Sequence, residues 1–253
     1  MTAPLVRPLV ISVYEVNGAR VLMPERMARC TPDMKKAIYG IRADVQERGG
    51  QFALSDLFRS YDMQLQAHLD YVSGKKKAFS PAPGSSMHEA GRAFDVDLKA
   101  LKMPLADFWR IAREHGVVPI IAEPNPRASE AWHFECRGSH QLVYDYYKAG
   151  KATNFNPAAA MAASAIVSAG LQHDRFKGKE QSAYLQSGLI RLGAQIGNID
   201  GDVGPKSNAA LAKLGITGSS RDEQVQALDE RLQQAFPDEF FDKVVDEGEH
   251  LVR

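Results

Sequence analysis

Two short segments of the sequence carry side chains that suit a metal ion. In the first, residues 83–95 (PGSSMHEAGRAFD), a loop delivers His88 and the following strand delivers Asp95, seven residues on. The second, Glu130-Ala131-Trp132-His133-Phe134-Glu135, supplies another histidine, with one acid three residues before it and one two residues after. Imidazole and carboxylate are the usual ligands of a catalytic zinc, which takes three protein groups and keeps its fourth tetrahedral position for water at about 2 Å. Two His and one Asp leave a net charge of about +1, which favours ionisation of that water near neutral pH. Hydrolysis also needs a group that removes a proton from water and returns one to the leaving group, and a carboxylate does both. Glu130 is the candidate, because it lies close to His133 at the mouth of a strand, whereas Glu135 shares the His133 face and suits a partner behind the ligand. The spacing is not the helical H-E-x-x-H arrangement, so helical zinc proteases are excluded as the pattern.

These groups need a sheet to hold them. Ala-Phe-Asp-Val-Asp-Leu, residues 93–98, alternates strictly, with Phe94, Val96 and Leu98 facing a core and Asp95 and Asp97 opposite. Residues 132–136 alternate too, with Trp132, Phe134 and Cys136 read as core side chains opposite His133 and Glu135. Thr31-Pro32-Asp33 predicts a helix that runs to about Glu47 and stops at Gly49-Gly50; residues 51–58 are strand-like, and Ser60 opens a helix through Tyr71. A helix over 105–115, ended by Gly116, precedes a short buried strand over 117–121. The pattern is α+β, several short strands in one sheet with helices packed on it.

The two segments together, Ser86-x-His88-x-x-Gly91-x-Ala93-x-Asp95 and Glu130-x-Trp132-His133-x-Glu135, closely resemble the signature of the zinc D-alanyl-D-alanine peptidases of VanX/VanY type, a group that includes phage endolysins cutting the L-alanyl-D-glutamate bond. Phe58-Arg59-Ser60-Tyr61, with Gln64 and Gln66 downstream, looks like the family's arginine segment. The resemblance covers residues 30–145 and implies a small antiparallel-sheet zinc peptidase domain. It implies one zinc ion held by His88, Asp95 and His133, Glu130 as general base and acid, and Arg59 as the group that stabilises the tetrahedral intermediate or grips the substrate carbonyl. Ser86, Arg59 and Gln64 are the substrate-binding residues it suggests. Ser86 itself suits local hydrogen bonding in the loop and not nucleophilic attack.

Residues 179–236 change character to three short helices, 180–192, 205–214 and 221–236, with a Gly-rich turn around Asp200-Gly201. Tyr184-Leu185-Gln186-x-x-Leu189-x-x-Leu192-Gly193 and the following Gly197-x-Ile199-Asp200-Gly201-x-x-Gly204-Pro205 resemble the three-helix peptidoglycan-binding module of wall hydrolases. That resemblance implies a core of Leu185, Leu189, Leu192, Ile199, Ala210 and Leu211. The expected organisation is a peptidase domain over 1–150, an Ala-rich helical connector over 151–178, and a small all-α domain over 179–253.

Composition agrees and excludes alternatives. The 253 residues are 44% hydrophobic with 31 basic and 31 acidic side chains, which excludes disorder and argues against nucleic acid as a partner. By segment the net charge is +3 for 1–150, +2 for 151–200 and −5 for 201–253, so the acidic end departs from a simple attraction to anionic wall polymers. No stretch suits membrane insertion and no signal peptide is visible at the N-terminus, so delivery to the wall by a holin, a virion or a secretion apparatus is expected, with bacterial peptidoglycan as partner and the protein a monomer. Cys30 and Cys136 are too few for a disulfide scaffold, and Cys136 reads as a buried thiol. Asp97 reads as a solvent-facing strand residue and residues 75–77 as a solvated loop, while His68, His115, His140, His173 and His250 lack partners at ligand spacing. Two functions follow: a zinc peptidase acting on peptidoglycan stem peptides, as D,D-carboxypeptidase or endopeptidase, and a non-catalytic wall-binding protein that keeps the zinc domain for recognition, as the related hedgehog signalling domain suggests.

Overall fold

The computed structural model describes residues 5–244; the end of the acidic tail, with His250, lies outside the described residues. In chain order the elements are β1 (Ile11–Val16), β2 (Ala19–Leu22), α1 (Pro32–Glu47), β3 (Ala53–Asp56), α2 (Tyr61–Val72), β4 (Ala93–Val96), α3 (Leu105–Glu114) and β5 (Val118–Pro119). They continue with β6 (His133–Glu135), α4 (His140–Lys148), α5 (Pro157–Ser168), α6 (Glu180–Arg191), α7 (Pro205–Lys213), α8 (Arg221–Ala235) and α9 (Pro237–Phe240).

The six strands form one sheet in the order β2-β1-β3-β4-β6-β5, antiparallel except for the β1–β3 pair, which is parallel. β1 and β2 extend its edge as a hairpin turned by Asn17-Gly18, both at positive φ, the requirement of the tight turn that matches strand twist. In the centre, β4 and β6 pair so that Phe94 lies opposite Phe134 and Asp95 opposite His133. Side chains alternate along a strand, so this single register sends the aromatic pair to one face and the polar pair to the other. On the aromatic face, Phe94 and Phe134 stack at 5.7 Å and Phe108 of α3 meets Phe134 edge-on at 4.9 Å. α1 buries Met34, Ile38, Ile41 and Val45, spaced at three and four residues, into the same core.

Helix starts follow local chemistry, with one change. Ser60 caps α2 by accepting from Met63 N, and Asn156 caps α5 by accepting from Ala159 N. Thr31 occupies the cap of α1, yet its hydroxyl donates instead to Asp33, which accepts from Met34 N. The reason is Arg92, whose buried guanidinium draws both Thr31 and Asp33 into one cluster.

The helical half is built around Leu185, Leu189, Ile199 and Leu211, with Leu192 partly buried against them. Gln186, 2% exposed, holds the Asp200-Gly201 turn by accepting from both of their amides and donating to the Asp200 carboxylate. α4, which local sequence patterns did not reveal, adds Tyr146 and Tyr147, whose hydroxyls accept from the amides of Ile196, Gly197 and Ile199. The Ala-rich segment expected as a helical connector holds α5, whose residues 160–168 are all buried. One side of α5 joins the helical core through Ala160, Ala163 and Val167, and the other packs Met161, Ala162, Ala165 and Ile166 on Met87, Ala90 and Ala93 around the His88 loop. α9 ties the ends together. Its Glu239 accepts from Ser139 N and Oγ and pairs with the buried Arg191 at 2.7 Å, with Arg92 at 4.0 Å. No described helix is long and apolar enough to cross a membrane.

Candidate active site

Three strand ends bring the polar groups together. Asp95 and His133 are directly opposed on β4 and β6, and His133 Nδ1 lies 2.9 Å from Asp95 Oδ1. His88 arrives from the loop before β4, its Nε2 3.3 Å from the same Asp95 oxygen, with the two imidazoles 4.9 Å apart centre to centre. One ligand atom from each of His88, Asp95 and His133 falls within 4.8 Å of the others, and all three residues are buried. These residues could hold a metal ion.

The donor chemistry fits one. His88 Nδ1 is 2.9 Å from Leu57 O at the end of β3, so that nitrogen carries the proton and Nε2 is left with its lone pair toward the cluster. Among the described residues, His88 Nε2 and Trp109 Nε1 are the only buried side-chain N or O atoms without a hydrogen-bond partner. A buried imidazole nitrogen aimed at a carboxylate and left unpartnered is what a cation between them would satisfy. His133 shows the same division, with Nε2 3.5 Å from Glu135 and Glu135 held in turn by Arg137 at 2.7 Å. Glu135 thus stands between His133 and Arg137, on the His133 face its strand position predicts.

The electrostatics describe a place prepared for positive charge. Burial disfavours the His133 cation, but the Asp95 and Glu135 carboxylates overcome it and push its pKa up to about 10. Burial likewise opposes the Asp95 anion, and the charges and hydrogen bonds of His88 and His133 hold its carboxyl well below the usual range. Burial pushes the Glu130 carboxyl upward, in the direction a proton carrier near neutral pH requires. Glu130 is also one of four non-glycine residues at positive φ among those described, at +66°, a conformation that concentrates at functional sites.

A cleft of about 770 Å³ opens onto the cluster, and Ser86, Arg59, Glu130 and Trp132 line it with His88, Asp95 and His133. Trp132 is therefore half-buried in the cleft wall and not in the core, while Phe134 and Cys136 are buried as expected. Arg59 donates to Asp56 at 2.6 Å and stands 3.6 Å from Asp95 Oδ2. It neutralises two acids that the β3–β4 register places side by side, and holds the Asp95 oxygen that faces away from the histidines. Gln64 does not reach the cleft: it is fully buried, accepts from Arg59 and donates to Ser80 and Pro81, so it positions the arginine from behind. Ser86 Oγ accepts from His88 N, the local role its loop position suggests.

Residues that spacing alone missed complete the loop and the wall. Glu89 accepts from the amides of Gly84 and Ser86 and is pushed up to about 7 by burial against those bonds. Its place inside the histidine segment was the available signal. Arg137 and Lys76 also line the cleft, as do Asn156, Met161 and Arg175 from beyond residue 150, which no local pattern connects to the site. Asp97 is paired with Arg20 at 2.6 Å. Among the other histidines, His115 pairs with Asp44, and His68, His140 and His173 contact Ser80 O, Ser164 and Gly84 O.

No protein-family model matches the chain, and no curated protein sequence matches it. Several solved structures resemble it in part, three of which follow. One is described as the LdcB LD-carboxypeptidase and the molecular basis of its peptidoglycan recognition: 20% identity, 52% of this chain against 66%, just under two thirds, of that one, TM-score 0.40. Another is DacB from Streptococcus pneumoniae D39, at 21% identity, covering 58% of this chain and 91% of that one, TM-score 0.36. A third, described as an L,D-carboxypeptidase DacB from the pneumococcus, has 22% identity over 53% of this chain and 84% of that one, TM-score 0.32.

Proposed function

We propose that this protein is a zinc-dependent peptidase that hydrolyses peptide bonds in the stem peptides of bacterial peptidoglycan, with the helical half acting as a wall-binding module. The observation that carries the reading is the convergence of His88 Nε2, Asp95 Oδ1 and His133 Nδ1, one of them an orphaned buried nitrogen, in a cleft that also presents Glu130. His88, Asp95 and His133 would hold the ion, with Leu57 O and Glu135 fixing which nitrogen each imidazole offers. Zinc there supplies the Lewis acidity that polarises a carbonyl and makes water acidic near neutral pH.

The chain's own groups do the rest. The Glu130 carboxylate takes a proton from the attacking water at an Oε atom and gives it to the nitrogen of the leaving amine; its raised pKa suits both transfers. Arg59 holds Asp95 in its ionised orientation, and its charge on the cleft wall favours the negative charge that develops on the substrate oxygen. Trp132 shields that space from bulk water.

Glu130→Gln in the zinc-loaded protein should leave zinc bound and lower turnover of purified stem peptides by about 10²–10⁴-fold, the usual contribution of a general base. An unchanged rate refutes the reading. Mass spectrometry of muropeptides released from sacculi identifies the bond: loss of a terminal D-alanine marks a carboxypeptidase, and separation within the stem or cross-bridge marks an endopeptidase.

A further inference from the structure

Part of the cleft wall comes from beyond residue 150, a stretch that contributes nothing to the His88–Asp95–His133 cluster. Residues 171–178, between α5 and α6, reach back to the site and are fixed at two consecutive positions. His173, 3% exposed, contacts Gly84 O through Nε2 at 2.8 Å and accepts the Arg175 amide on Nδ1 at 3.2 Å, so its tautomer is set with the proton on Nε2. Gly84, at φ +83°, leaves no room there: a Cβ would stand 2.8 Å from that nitrogen. Asp174 accepts from the hydroxyl of Tyr61, the first residue of α2, at 2.8 Å. Arg175 follows directly and lines the cleft, its guanidinium 5.1 Å over the Phe155 ring.

The cations of the cleft are not equivalent. Arg59 is engaged by Asp56 and Asp95, Arg137 by Glu135, and Lys76, a point charge without a planar fork, acts on Glu130. Arg175 is exposed and, among the described residues, has no carboxylate partner. An arginine held over an aromatic ring by a cation–π contact spends none of its N–H donors on a carboxylate, and those donors match a carboxylate two bonds at a time.

We propose that Arg175 is a specificity-determining residue that receives a carboxylate of the peptide whose scissile bond lies at the His88–Asp95–His133 cluster. This rests on the proposed function and adds to it that the helical half supplies a recognition group for the reaction centre. Two carboxylates of a stem peptide offer the same chemistry, the C-terminal one and that of an internal acidic residue.

Calorimetry with zinc-loaded protein carrying Glu130→Gln measures binding without turnover. Adding Arg175→Ala should raise the Kd of a stem peptide by about 10–100-fold, the worth of a charge-assisted hydrogen-bonded pair, and Arg175→Lys should recover part of it. A peptide amidated at the recognised carboxylate should bind weakly and equally with and without Arg175→Ala; comparing the C-terminal amide with the internal amide tells which carboxylate is held. If Arg175→Ala leaves Kd within about twofold, or weakens the acid and both amides alike, the assignment is overturned while the peptidase reading stands. If the zinc-loaded protein neither binds nor cleaves any stem peptide, the peptidase reading falls and takes this assignment with it.

Discussion

Replacing Glu239 by Gln removes one negative charge from a cluster that contains two fully buried arginines, with almost no change of shape. The Glu239 side chain is 7% exposed and pairs with Arg191 at 2.7 Å and Arg92 at 4.0 Å, and both arginine side chains are 1% exposed. Arg92 keeps Asp33, but Arg191 keeps the hydroxyls of Ser139 and Ser168 and the Phe236 ring and, among the described residues, no ion-paired carboxylate. Breaking a buried ion pair from one side costs about 3–5 kcal/mol, because the remaining charge stays buried without a counter-ion. The Gln carbonyl can still accept from Ser139, so the lower end applies, about 3 kcal/mol, or a fall in Tm of roughly 6–12 °C for a chain of this size. Urea denaturation followed by circular dichroism measures it. Replacing both partners, Arg191→Met with Glu239→Leu, should recover most of the loss, since an apolar pair leaves no charge stranded. A loss below about 1 kcal/mol for Glu239→Gln, or a double variant as unstable as the sum of its singles, refutes the reasoning.

Two further outcomes are expected. His133→Ala and His88→Ala should each lose stoichiometric zinc by metal analysis, together with the stabilisation zinc gives, which is about 2.7 kcal/mol when free zinc is a hundred times Kd; full zinc occupancy in His133→Ala contradicts the ligand assignment. His140 is kept neutral by burial and by the Arg191 and Arg92 charges, so its pKa lies well below the 6.5 of an exposed histidine. The unfolded chain then binds the extra proton, and stability present above pH 7 is lost as pH falls through 6.5, by about 1.4 kcal/mol at pH 5.5. His140→Gln should flatten that part of the Tm profile, and an unchanged slope counts against the buried neutral imidazole.

The meeting of His88, Asp95 and His133 was legible because its information is local. Alternation over residues 93–98 and 132–136 assigns Asp95 and His133 to polar faces, and pairing of the two strands makes them neighbours. The same alternation misplaced Trp132, since it gives a face and not the depth of what covers it. At the last residue before β6, the covering element is the open cleft. Gln64 had the right segment and the wrong role: an amide with four hydrogen-bonding sites suits a substrate and suits an arginine equally, and only tertiary placement distinguishes them. The helices of the second half followed from Pro205 and the periodic leucines, while α4 escaped because its tyrosines are held by amides some fifty residues away. Arg175 was invisible for a related reason. Its relation to the site runs through His173 to Gly84, a contact spanning 89 positions.

The burial of residues 160–168 bears on how such a protein would work along a polymer. An enzyme tethered to its anchor by a flexible leash searches every bond within the radius of the leash, at an effective concentration set by linker length. Here the segment between the two halves is packed on both of them and lines the cleft, so the helical half stands at a fixed offset from the His88–Asp95–His133 cluster. Under the proposed function the helical half acts as a ruler, selecting bonds at one spacing from the point of attachment.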